Sequence, residues 1–170
     1  MKRLRRIIES IAAITGDFAG WLVVAMIALI FFEVFMRYGL NRPPAIADEI
    51  SAYMLVGLSF LGAAFAWKEK SHIRITSLTS RLPTKVASWL RLVTLILVFL
   101  YVLILCLSSY GFMETSYHFR MASATWIRVP LQGPHMTLAI GFTVFLLMLM
   151  VTIGRAIMNI KTGKSAEGVF

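Results

Sequence analysis

The chain has 170 residues, 59% of them hydrophobic, and 17 Lys and Arg against 8 Asp and Glu give it a formal net charge of +9. A soluble domain is about 45–50% apolar, so the composition describes an integral membrane protein with no room for a large water-filled catalytic chamber. The basic residues are divided among short segments beside apolar runs, as membrane topology requires, and no nucleic-acid partner is expected.

The chain opens with Met1–Arg6, MKRLRR, followed by an apolar run too long for a signal peptide and bulky at its end, Phe32-Glu33-Val34-Phe35-Met36. That pattern predicts an uncleaved first helix, spanning about residues 18–36, with its basic end in the cytoplasm. Ile7–Thr15, interrupted by Glu9 and Ser10, is expected to lie along the interface as an amphipathic lead-in. A link with two prolines, Pro43 and Pro44, leads to Asp48 and Glu49, which open a second span over residues 50–67.

Pro83 suits the first turn of a helix, and nothing from there to Tyr117 breaks one. A third helix of this length covers about 50 Å, more than a bilayer, so its start with Lys85, Trp89 and Arg91 is placed in the cytoplasmic headgroup layer around a span at 92–113. The fourth span is placed at 134–154, inside an apolar run that begins near Val129. Trp21, Trp67, Trp89 and Trp126 stand near the expected boundaries, as an aromatic belt does. The tail from Asn159 is expected to be disordered.

Lys and Arg number four before the first span, six between the second and third, and three after the fourth. The other two links hold two each, Arg37 with Arg42 and Arg120 with Arg128. Because this bias sets orientation, the expectation is an all-α membrane protein of four helices, a single domain over 1–170, with both termini cytoplasmic. No proline interrupts a span and no internal repeat is evident. Transporters that carry cargo bind it at broken helices within repeated halves, so this chain does not read as a pump by itself.

Glu33 is an ionisable group inside a span, and such groups are functional candidates. It stands one turn before Arg37, where the two share a helix face, so a structural ion pair is the plainer reading. Asp48 and Glu49 complement the dipole at a helix start, or pair with Arg37 or Arg42 across the hairpin. Gly16 and Gly20, together with Gly62 on the second helix, let helices approach closely in lipid. Glu114, Ser116, His118 and Arg120 read as a solvated helix end. His72 falls at the opposite face from His118 and His135, so paired haem ligation is not expected, and a lone Cys106 supports no cysteine cluster. No cofactor or metal is expected.

From its opening hairpin onward the sequence resembles the DctQ-like small membrane subunit of tripartite ATP-independent periplasmic (TRAP) transporters. The resemblance rests on Glu33-Val34-Phe35-Met36-Arg37-Tyr38, Asn41-Arg42-Pro43, Asp48-Glu49 with Tyr53, Phe60-Leu61-Gly62-Ala63-Ala64, His72-Ile73-Arg74-Ile75, and Ala124-Thr125-Trp126-Ile127 ending at Pro130. Ile46 and Gly57 depart from it, standing where the family more often has tryptophan. The resemblance implies a non-enzymatic subunit of a sodium-driven transporter for an organic acid in the bacterial inner membrane. It also implies two protein partners besides lipid: a large membrane subunit that this chain braces and a periplasmic substrate-binding protein that it helps dock. Glu33, Arg37, Arg42, Asp48, Glu49, Gly16, Gly20 and Gly62 are the candidate interaction residues. A membrane anchor of a redox enzyme and a small self-assembling channel are the competing readings.

Overall fold

The computed structural model describes residues 2–42, 44, 46–69, 84–125 and 128–161. Four helices account for nearly all of them: α1 (Lys2–Gly39), α2 (Ile46–Lys68), α3 (Thr84–His118) and α4 (Gln132–Lys161). Each is long and apolar enough to cross a membrane, and the protein is an all-α, multi-pass membrane protein. The expected helix start at Pro83, the basic turn from His72 to Ile75 and the belt residue Trp126 lie outside the described residues.

Among the described residues, α1 and α3 do not pack closely on one another. α1 packs on α2, α2 on α4, and α4 on α3, while α1 also reaches α4. The result is a row in the order α1, α2, α4, α3, bent so that α1 also touches α4 toward one end. Leu146, Leu149 and Ala156 of α4 pack against Leu92, Leu95, Val102 and Cys106 of α3. Val144 and Met148 pack against Ile8 and Ala12 of α1 and Ala64 of α2. For clarity, the end where α1 begins and α4 finishes is called the base, and the opposite end the rim.

The seams are fitted by small residues. A Cβ at Gly141 would fall 2.6 Å from the Phe60 carbonyl, so α4 lies against the backbone of α2 there, beside a tilted Phe60–Phe142 ring pair 5.0 Å apart. On α1, Gly16 abuts Phe65, whereas Gly20 faces open space; Gly62 meets Ala19 across the same seam. The Gly16–Gly20 pair is therefore not one contact face.

Three expectations are corrected. No interfacial lead-in separates from the first span: α1 is a single 38-residue helix, because nothing in its first turns breaks helix and Ile8 and Ala12 are buried in the core. Trp67 is not a lipid-facing belt residue. Its indole N–H donates to Thr152 Oγ1 at 3.1 Å, and its ring packs edge-on to Phe145. The helical part of the tail extends through Lys161, since α4 continues past Asn159 without a breaker.

Candidate functional site

Most of the candidate side chains meet at the rim. α1 ends at Gly39, and Asn41 takes a left-handed backbone conformation with φ 53°, which asparagine tolerates better than most residues. The chain thereby turns back into α2. Arg37, in the last turn of α1, lies 2.5 Å from Glu33 Oε1 and 4.0 Å from Asp48 Oδ2. Glu33 is 7% exposed, and its Oε1 accepts no well-angled hydrogen bond, so the Arg37 guanidinium is what offsets its charge. Asp48 is exposed, and a contact of that length in water contributes little. Arg42 pairs with neither acid of α2 among the described residues.

Among the described residues Glu49 also pairs with no arginine. It is buried, accepting a hydrogen bond from Tyr53 Oη at 2.7 Å through Oε1 and a short one from Thr125 Oγ1 through Oε2. Tyr53 stands one turn along α2, where the two side chains stack on one face. Thr125 comes from the link between α3 and α4, 76 residues away.

That link is a compact hairpin. Leu131 N–H donates to Met121 O at 3.0 Å and Ser123 N–H to Val129 O at 2.9 Å, around one antiparallel bridge between Ala122 and Pro130. Arg128 N–H closes the turn on Thr125 O at 3.2 Å. Glu49 thus ties the start of α2 to the loop that joins the other two helices. Between them lies an open-sided notch of about 580 Å³, lined chiefly by Asp48, Glu49, Ala52, Tyr53, Ser123 and Thr125. Its polar wall is acidic and hydroxylic, a poor setting for an anionic cargo.

Ser116 corrects the reading of the α3 terminus as wholly solvated. It is fully buried, and its hydroxyl makes a short hydrogen bond with His135 Nδ1 in the first turn of α4. Arg120 and His118 are exposed. No three His, Cys, Asp or Glu side chains converge as a metal site requires among the described residues.

At the base, sequence reasoning missed a second polar junction. Glu9 Oε1 receives Arg5 Nε at 2.9 Å and makes a short ion pair with Arg155 of α4. The Arg5–Glu9 spacing is visible in the sequence. Its partner 146 residues away carries no local signal.

Comparison with known proteins agrees with the architecture. Residues 26–161 match the family described as tripartite ATP-independent periplasmic transporters, DctQ component. A TRAP transporter small permease protein of Haemophilus influenzae is 40% identical over 62 residues, 36% of this chain and 38% of that protein. The sialic acid TRAP transporter small permease protein SiaQ of Vibrio cholerae is 31% identical over 85 residues, 50% of this chain and 47% of its own length. The chain therefore spans less than half the length of either of these curated relatives.

Proposed function

Because the chain belongs to the DctQ family of TRAP transporter components, a transporter part and not an enzyme, we propose that it is a small permease subunit of a sodium-driven transporter for an organic acid. It binds the large membrane subunit, braces it in the bacterial inner membrane, and helps dock a periplasmic substrate-binding protein. The base, with both termini, faces the cytoplasm and the rim faces the periplasm, following the bias of Lys and Arg toward the base. Sialic acid, named for the Vibrio relative, is itself an organic acid, the cargo class proposed here.

The observation that carries this reading is the row of four unbroken helices. A carrier needs an interrupted helix or an enclosed path where cargo can shed water, and a channel needs a polar lumen. A row of continuous helices supplies stiffness and exposed faces to a second membrane protein. The rim adds a charged surface suited to a soluble one.

The test is reconstitution. The chain alone in liposomes should take up no organic acid; with its large subunit and binding protein it should restore sodium-dependent uptake. Purified in detergent, it should carry the large subunit with it. Arg37→Ala or Glu49→Ala should weaken assembly or transport without changing which acid is taken. Uptake by the chain alone would overturn the proposal.

A further inference from the structure

Two arginines at the rim stand at backbone positions that favour glycine. α3 ends in a paired-bond cap: Met121 N–H reaches back to Ser116 O at 3.1 Å and Arg120 N–H to Tyr117 O at 3.5 Å. The residue inside such a cap is left-handed and is usually glycine. Here it is Arg120, with φ 46°. Arg128, whose N–H closes on Thr125 O, is also left-handed at φ 49°, a conformation that favours glycine. An L side chain at such a φ meets its own backbone, so each arginine costs stability that glycine would spare.

Nothing within the described fold offsets that cost. The side chains of Arg120 and Arg128 are exposed, as is that of Arg42 on the neighbouring link, and none of the three has an ion-pair or hydrogen-bond partner among the described residues. The acids of the rim are otherwise placed: Glu33 and Asp48 face Arg37, and Glu49 holds two hydroxyls. Asp48, held only by its exposed 4.0 Å contact, and Glu114, exposed on α3, are the loosely committed acids of the rim among the described residues. Unfavourable backbone retained at exposed residues points toward function.

We propose that Arg120 and Arg128, flanked by Arg42, form a cationic contact for carboxylates on the surface of the soluble binding protein. This rests on the docking role proposed above and gives it residues and a charge. A hydrated, charged surface on links outside the spans suits a partner that docks and leaves, whereas the large subunit meets apolar helix faces. Guanidinium groups pair with carboxylates in a planar, two-bond geometry that lysine does not reproduce.

The experiment uses the full chain complexed with its large subunit in nanodiscs of pure phosphatidylcholine, with the substrate-binding protein that supports uptake as the probe. Arg120→Gly/Arg128→Gly relieves the left-handed positions, so the complex should melt no lower than wild type while affinity for the binding protein falls about tenfold. The dependence of docking on salt between about 0.05 and 0.3 M should flatten as well. Arg120→Glu/Arg128→Glu should lower affinity further, and acid-to-lysine changes on the binding protein should recover part of it.

Unchanged affinity in the glycine variant overturns the proposal. So does a loss of affinity seen only when the discs contain phosphatidylglycerol, because a lipid headgroup is then the anion. Gel filtration before the binding protein is added reads assembly with the large subunit. A wild-type chain that fails to hold that subunit refutes the bracing role, and this inference with it. Intact assembly with unaltered docking refutes the arginine contact alone.

Discussion

Gly141→Ala tests the row at its tightest point. The added methyl carbon would lie 2.6 Å from the carbonyl carbon and oxygen of Phe60 and 2.8 Å from its Cβ. Non-bonded carbons settle about 3.5–4.0 Å apart, and helix backbone cannot swing aside as a side-chain tip can. α2 and α4 must therefore part by about 1 Å, loosening the Phe60–Phe142 ring pair and the Trp67–Thr152 hydrogen bond on the same seam. Overpacking of this kind costs about 1–3 kcal/mol, against which alanine's helix preference over glycine returns at most about 1 kcal/mol. The net expectation is a loss of about 1–2 kcal/mol. Thermal unfolding in detergent, followed by tryptophan fluorescence, reads it directly. Gly154→Ala on the same helix has no heavy atom within 4 Å of the new carbon, so it should hold or raise the melting temperature. If Gly141→Ala melts at or above wild type, in step with Gly154→Ala, the close approach of α2 and α4 is wrong.

Five further substitutions probe three polar contacts, with thermal unfolding again the first readout. Arg37→Ala should destabilise more than Glu33→Gln, by about 1–2 kcal/mol, because it strands a buried carboxylate whereas the reverse change leaves a half-exposed guanidinium in reach of water; adding Glu33→Gln to Arg37→Ala should recover most of the loss. Trp67→Phe and Thr152→Val should each cost about 1 kcal/mol, and the double variant little more than either, since one hydrogen bond joins the pair. Glu9→Gln should weaken the hold of α1 on α4 by about 1 kcal/mol, discounted for partial exposure. Its signature is faster amide exchange near Ile8 and Ala12 with α3 unaffected.

The spans were legible in the sequence because apolar runs and link prolines mark them. α1 was legible only in part: hydropathy reports where the hydrocarbon lies, while the helix continues through Lys2–Asp17 on propensity and the Arg5–Glu9 spacing. The order of the row was hidden. Leu149, fully buried, and Met150, exposed, are both apolar, because a face turned to lipid and a face turned to a neighbouring helix take the same residues. Glu33–Arg37 was readable as a one-turn pair. Glu49–Thr125 and Glu9–Arg155 were not, since each joins residues far apart in the chain whose types carry no pairing signal of their own.

The junctions fall at different depths, and this bears on the proposed bracing role. α1 meets α2 at the rim through Arg37 and Asp48 and meets α4 at the base through Glu9 and Arg155. α2 meets α4 near the base through Trp67 and Thr152. α3 meets α4 through Tyr110 and Thr143, 3.0 Å apart, and again at the rim through Ser116 and His135. A polar contact between membrane helices contributes only about 0.6 kcal/mol on average, so none of these holds the row alone. Their spacing matters more than their sum, because two helices joined at one level can pivot there. The exposed Arg37–Asp48 contact adds little, so α1 is held chiefly at the base and along its small-residue seam with α2, while α3 is held at two levels. Under the proposed bracing role, a subunit built this way would pass on a load from its large partner with little bending. Releasing one junction, as Glu9→Gln does, should therefore slow transport by the complex while leaving its assembly intact.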